Sequence, residues 1–367
     1  MPDTKPTKRN PIRRLQLAGF PAELGRAHGE AFAPEIRRYT QDRVELTRNG
    51  SWAGRTATRE DVLGLANEML PAHRAYAPAL CDEMEALASA CGISAAEALI
   101  VGGFTDFVDA VRGLSGEAPE EDDCTAVLTP DALSGGHGYL AQTWDMHDSA
   151  TEHVVLLDIE PREGPRAFVF STVGCLGQIG LNEAGIAVGI NNLSAARGSR
   201  GVTWPLVVRK ALAQSDIEAA LACVTEAELA GAHNYLLLDA HGRGYNVEAM
   251  PGACSVRKLD QSPLVHTNHC LDTSTQRLQA EKAPALLASS RARLARAEAL
   301  LAAQGAGIDT DFLMAFTRDP VAICQRSEAP HHIESSGAVI MRPATRELHA
   351  VWGLPSENEY ERFAFAR

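Results

Sequence analysis

The sequence predicts an α+β protein in which two β-sheets pack between helical layers, with a helical segment ahead of them. Three observations predict it. Residues 21 to about 114 repeat apolar positions at helical spacing, residues 124–270 alternate short apolar runs with turn signals, and further helical stretches flank and interrupt those runs. A series of strands with helices on either side buries its apolar faces best as sheet on sheet between helices.

The chain has 367 residues, 45% hydrophobic and 22% charged, the composition of a soluble globular protein. At ~100 to 200 residues per domain this length suits two domains or one large one, and the pattern favours one. No apolar run approaches the length that spans a bilayer, so no membrane partner is expected. The opening Met1–Asn10 is polar and basic with no apolar segment behind it, unlike a secretory signal, so cytoplasmic residence is the expectation. A net charge of −13 argues against nucleic acid, whose interfaces need clustered Lys and Arg. Eight cysteines without a CxxC pair make neither a disulfide framework nor a zinc ribbon. Only position and neighbours can choose among them.

Taken in order, Pro21 opens a helix through Phe32, Ile36 and Val44. A second runs from Arg59 past Pro71 to Cys91, where Gly92 suits a C-terminal cap. A third begins at Ser94, with Glu97 three residues on as in a capping box. Gly113 to Asp123, rich in Gly, Pro, Ser and acids, reads as a linker or surface loop. Strands are expected at 126–128, 139–141, 153–159, 167–170, 185–190, 235–238 and 264–266, with hairpin turns at 131–138 and 240–244. A helical insertion covers roughly Pro205 to Leu229 and another helix about Pro284 to Ala303, which sets its leucines against Arg291, Arg293 and Arg296. A last strand pair, 337–341 and 347–352, closes the sheet. Gly174, Gly177 and Gly180 fit no phosphate-binding spacing, and no helix follows them, so they read as a hairpin.

Cys124 stands where the composition changes. Asp122-Asp123-Cys124-Thr125-Ala126-Val127-Leu128 runs from an acidic loop straight into a strand. A peptide break before Cys124 would leave a thiol at a strand's amino end with its own base beside it, since a free α-amine titrates near ~8 and can take the thiol's proton. The alternative is a small apolar filler. His266, His269 and Cys270 could be metal ligands, but no fourth ligand stands at metal spacing, and neutral strand histidines are commoner, so no metal and no cofactor is expected.

Five motifs in order complete the picture: Cys124-Thr125, Trp144-Asp145, Gly180 to Val188, His266-Thr267-Asn268-His269 and Cys324-Gln325-Arg326. From about residue 20 onward the chain resembles the autoproteolytic acyltransferases and hydrolases of the acyl-coenzyme A:6-aminopenicillanic acid acyltransferase family, within the N-terminal-nucleophile hydrolases. The resemblance implies a four-layer αββα sandwich. It also implies self-cleavage between Asp123 and Cys124 into a helical chain, 1–123, and a β-rich chain, 124–367, that stay associated, with a homo-oligomer as a further option. Cys124 becomes the nucleophile, its freed amine the base, Asp145 the group that orients amine or thiol, Asn268 an oxyanion donor and Arg326 a partner of Asp145 and of a substrate carboxylate. Trp144, Asn191, Asn192 and His266 become substrate contacts. The alternatives are a turn-forming role for Asp145 after Trp144 and a surface ion pair of Arg326 with Glu328.

Asp123 stands where the resemblance puts Gly, and its carboxylate should raise the thiol's pKa and slow the acyl shift. No basic, aromatic-bearing loop stands out as a coenzyme A site. Hydrolysis of a small linear amide is therefore the expected reaction, with acyl transfer to an amine and non-catalytic small-molecule binding as the rivals.

Overall fold

A computed structural model describes residues 11–50, 56–112, 124–329 and 331–365. The acidic linker, with Asp123, lies outside the described residues.

The first element among the described residues is a strand that the helical pattern concealed, β1 (Arg14–Gly19), followed by the long helix α1 (Pro21–Arg48). The single helix expected from Arg59 to Cys91 is two, α2 (Arg59–Tyr76) and α3 (Pro78–Cys91). They part at Ala77, at φ −148° and ψ 76°, because Pro78 disfavours helical geometry in the residue before it. Gly92 caps α3 in the left-handed region at φ +70°. Ser94 and Glu97 form the expected capping box, Glu97 accepting from Ser94 N at 2.8 Å, and open α4 (Ala95–Gly102), after which comes α5 (Phe104–Arg112).

Beyond the linker the strands are β2 (Ala126–Thr129), β3 (Tyr139–His147), β4 (Val154–Pro161), β5 (Ala167–Thr172), β6 (Ile179–Asn182) and β7 (Ile186–Asn192). Helices α6 (Trp204–Leu212) and α7 (Ile217–Thr225) occupy the predicted insertion. Then come β8 (His233–Asp239), β9 (Gly244–Met250), β10 (Ala253–Lys258), β11 (Leu264–His266), the short α8 (Thr273–Gln276), α9 (Pro284–Gln304) and α10 (Thr310–Thr317). Strands β12 (Ile333–Arg342), β13 (Glu347–Trp352) and β14 (Glu361–Ala364) end the chain.

Two sheets result, one ordered β1-β4-β5-β6-β7-β8-β9-β10 and the other β11-β2-β3-β12-β13-β14. All pairs are antiparallel except β1 with β4. β2 and β3 stack over β7 and β8, α6 and α7 cover the outer face of the first sheet, and α9 and α10 that of the second. This is the expected αββα layering. The apolar sequence pattern missed β1, β6, β9, β10, β14, α8 and α10. β14 is exposed on alternate residues, β10 on four of its six, and the two carry Arg257, Lys258, Glu361 and Arg362, so neither shows an apolar run. No single described helix is long and apolar enough to cross a bilayer.

The helices before the linker are bound to the rest by buried polar contacts. Arg209 of α6 lies 3.1 Å from Glu83 of α3, both side chains nearly inaccessible. Burial pushes the Glu83 carboxyl up, against the pull of Arg209. Asp106 accepts from Trp204 N at 2.7 Å, and Asp109 from Ala195 N at 2.8 Å and Ala232 N at 3.1 Å. Removing one member of a buried ion pair strands the other, at about 3–5 kcal/mol. Glu83→Ala should lose that much in urea unfolding, and a loss under about 1 kcal/mol would mean that apolar packing alone holds the leader.

Candidate active site

The β2–β3 hairpin sets the geometry. Its register pairs Ala126 with Gln142, and Thr143 N donates to Thr125 O at 3.0 Å, so two residues further Cys124 stands opposite Trp144. Directly opposed residues share a face. Cys124, Ala126, Leu128, Leu140 and Trp144 belong to the core between the sheets, while Val127, Tyr139 and Ala141 pack outward under α9 and α10. The Cys124 side chain is therefore buried between the sheets, with Trp144 as its neighbour and Phe170 edge-on to Trp144 at 6.3 Å.

Two side chains hold Cys124 by its backbone. Its N–H donates to Asn268 Oδ1 at 2.7 Å. Its carbonyl accepts from Arg293 Nη1 at 2.6 Å, and Arg293 also donates to Thr125 Oγ1 at 3.2 Å and, through Nη2, to Asn268 Oδ1 at 3.1 Å. Two donors converging on one side-chain atom require that atom to be the oxygen, which settles how the Asn268 amide is turned. Its Nδ2 donates to Asn192 O at 3.1 Å. Asn268 thus contacts the nucleophile's nitrogen through its oxygen. Where an oxyanion donor was expected, the amide meets the Cys124 nitrogen with its acceptor and gives one N–H to Asn192.

Asp145 lies one residue beyond Trp144 and so projects from the other face of β3. It accepts from Ser335 Oγ at 2.6 Å and from Thr143 Oγ1 at 3.2 Å, and Thr143 Oγ1 in turn accepts from Thr125 N at 3.2 Å. This chain of bonds connects Asp145 to the residue after Cys124, and it gives the carboxylate more than a turn-forming role.

Arg326 departs from expectation. Its side chain is 56% exposed and pairs with Glu357 at 2.6 Å, with neither Asp145 nor Glu328 as partner. Gln325 exchanges bonds with Ser335, its N donating to Ser335 Oγ and its O accepting from Ser335 N, so the strand-like alternation turns the next residue outward. The arginine in the site is Arg293. Sequence patterning placed it on the polar side of its helix. Yet Leu286, Ser290, Arg293, Ala297 and Leu301 form one buried stripe at helical spacing, whereas Arg291 is exposed and Arg296 reaches Asp319. An arginine in register with an apolar stripe was the available signal.

The other expected contacts divide. Asn191 and Asn192 are consecutive on β7 and point to opposite faces. Asn191 accepts from Asn234 Nδ2 at 3.2 Å, and Asn192 reaches the site through its carbonyl. His266, expected against substrate, has its ring fully buried between Thr267 O at 2.7 Å and Glu248 at 2.9 Å. Pairing of β11 with β2 sets it opposite Ala126, on the inter-sheet face that Cys124 shares, where its ring is taken up by Glu248 of β9. His269 is held down to about 4 by burial and then by His266, Arg291 and Arg293, and lies 2.7 Å from Ser290 Oγ. Burial, then Glu248, pushes the Cys270 thiol up to about 12, and among the described residues no three His, Cys, Asp or Glu side chains gather as a metal would require. The fold also leaves a gap that a side chain fills. β6 pairs with β7 only at Val188 and Ala187, and beyond it Gln142 of the opposite sheet bonds both Ile190 N at 2.8 Å and Ile190 O at 3.0 Å.

Chemically, the site offers a thiol at the start of a strand, a backbone nitrogen held by a side-chain oxygen, and a buried guanidinium on the adjoining carbonyl. A model of the acyl-coenzyme A:6-aminopenicillanic acid acyltransferase family matches residues 133–331, more than half of the chain, beginning just after Cys124. The acyl-coenzyme A:6-aminopenicillanic-acid acyltransferase 40 kDa form of Emericella nidulans is 28% identical over 260 residues, 69% of this chain and 68% of that protein. Among solved structures, a mutant of the conjugated bile acid hydrolase from Clostridium perfringens matches with a TM-score of 0.44 and 11% identity over 66% of this chain and 97% of that one. Penicillin V acylase from Agrobacterium tumefaciens matches at 0.37 and 12% over 62% and 82%. Structural likenesses of that size decide nothing about the reaction.

Arg293→Met should leave the Cys124 carbonyl, the Thr125 hydroxyl and the Asn268 oxygen short of a buried donor, each worth about 1–3 kcal/mol. A drop of several degrees in Tm is expected, with Arg293→Lys falling between. A melt unchanged in both variants would remove Arg293 from this account.

Proposed function

The chain belongs to the acyl-coenzyme A:6-aminopenicillanic acid acyltransferase family, and on that premise we propose that it is a self-processing cysteine amidohydrolase with Cys124 as nucleophile. One observation carries the reading: the backbone nitrogen of Cys124 is 2.7 Å from Asn268 Oδ1. In the unbroken chain that acceptor holds a peptide N–H. Once the bond from Asp123 is cut, the same oxygen accepts from the new α-amine and keeps it beside the thiol it must deprotonate.

In self-cleavage the Cys124 sulfur attacks the Asp123 carbonyl carbon, a C–S bond forms as the C–N bond breaks, and the nitrogen takes up the thiol's proton. Water then cleaves the thioester, which frees the Asp123 carboxyl and the thiol. In turnover the thiol passes its proton to the α-amine and attacks the substrate amide. The leaving amine takes that proton as the C–N bond breaks, and water, deprotonated by the α-amine, releases the acid. Asn268 positions the amine, Arg293 and Thr143 fix the strand that bears it, and Asp145 anchors Thr143. Trp144 and Asn191 border the inter-sheet space in which the acyl group would lie. Leader and body remain associated after the cut, because the contacts of Glu83, Asp106 and Asp109 do not run through the severed bond.

The Emericella nidulans relative, by its name an acyltransferase, favours a second reading in which an amine takes the acyl group in place of water. Intact mass and N-terminal sequencing test the first claim. Two fragments are expected, the larger beginning at Cys124, and Cys124→Ala should give one uncut chain; an unbroken chain with full activity would rule out the α-amine as base. Product analysis with and without added amine separates hydrolysis from transfer.

A further inference from the structure

Strands β9 and β10 end the eight-stranded sheet, and their pairing builds a half-open hollow of about 180 Å³. Asn246 stands opposite Arg257 and, two residues along, Glu248 stands opposite Ser255. Opposed residues share a face, as do residues two apart on one strand, so these side chains turn to the same side, and each of them lines the hollow. Leu264 and Leu271 add apolar walls, and Asp272 stands among them. Cys124 is not a wall of this hollow, which is therefore separate from the nucleophile.

A chain of amides decides which end of Asn246 meets the hollow. Asn191 Nδ2 donates to His266 O at 3.5 Å, which leaves Asn191 Oδ1 to accept from Asn234 Nδ2 at 3.2 Å. Asn234 Nδ2 gives its other hydrogen to Asn246 Oδ1 at 2.8 Å. The Asn246 oxygen is thereby taken, and its Nδ2, on a residue only 7% exposed, has no hydrogen-bond partner among the described residues. These N–H groups open onto the hollow beside the Arg257 guanidinium, which is exposed at the rim and pairs with no described side chain. The other end is negative. Burial acts to raise the Glu248 carboxyl, but the hydrogen bond and charge of His266 hold it below its ordinary value, and hydrogen bonds from Ser274 and Ser255 do the same for Asp272. Donors and ionised acceptors thus stand two residues apart along the strands, about 7 Å.

We propose that this hollow binds a free aliphatic amino acid as its zwitterion. The carboxylate accepts from Asn246 Nδ2 and Arg257, the ammonium lies toward Asp272 and Glu248, and the side chain rests on Leu264 and Leu271. A lone anion would sit beside two carboxylates and a lone cation beside a guanidinium, whereas a molecule carrying both charges suits both ends. At about 30 Å³ per water the volume equals about six waters, room for one amino acid and too little for a peptide. The proposal does not depend on the reaction assigned to Cys124.

The test is calorimetric titration of the full chain with L-alanine, L-valine and L-leucine, set against leucinamide, which lacks the carboxylate, and N-acetylleucine, which lacks the ammonium. Saturable binding of at least one free amino acid is expected, about tenfold or more tighter than either capped compound. Arg257→Gln should weaken the amino acid about tenfold without changing leucinamide, because only the free acid offers Arg257 a carboxylate. Asp272→Asn, which keeps the N-cap of α8, should weaken it by a similar factor without changing N-acetylleucine. Cys124→Ala should bind as the wild type does. No saturable binding of any of the three at millimolar concentration, equal affinity for the capped compounds, full affinity in both charge variants, or loss of binding in Cys124→Ala would each overturn the proposal.

Discussion

A fully buried guanidinium organises this protein. A charge removed from water is tolerated only where acceptors surround it, and the acceptors that Arg293 has found are the Cys124 carbonyl, the Thr125 hydroxyl and the Asn268 oxygen. Meeting that requirement ties α9 to the six-stranded sheet, brings the segment after β11 against the start of β2, and orients the Asn268 amide so that its oxygen faces Cys124 N. Ser290, one turn earlier on α9, accepts from Asn268 N and secures the same segment from behind. The nucleophile's nitrogen is thus positioned by a helix that the sequence places far from it.

The second constraint is the demand of buried carboxylates for donors. Asp106 and Asp109 of α5 satisfy theirs with backbone N–H groups of the β-rich part, and Glu83 with Arg209. These contacts explain how a chain cut ahead of Cys124 would keep its leader. Helices that read as a separate segment are, in packing terms, part of the layer that covers the first sheet.

Between the sheets, polar side chains substitute for missing strand partners. Gln142 completes the hydrogen bonding of Ile190 where β6 stops short, and Asn234 bridges Asn191 to Asn246 across β7, β8 and β9. The inter-sheet layer stays ordered with polar residues in it because each mostly finds a partner.

Much of the fold was legible in the residues: apolar periodicity marked the long helices and central strands, Gly92 and Ser94 marked the breaks between them, and the motif order around Cys124 led to the family. The misses share a cause. Edge strands β10 and β14 are half exposed and carry charge, β9 is buried but holds Asn246 and Glu248, and α10 is too short for its period to show. In the site, sequence determined the residue types and their order, with Cys124 at a strand's start, Trp144 and Asp145 on the next, and Asn268 on a distant loop. Tertiary structure alone decided which of them meet. Arg293 stands in the site and Arg326 in solvent, His266 faces Glu248, and Asn268 offers its oxygen. Those outcomes depend on which face of a strand or helix is buried and on which acceptors a buried charge can reach, and both are properties of the packed layers that no local stretch of sequence contains.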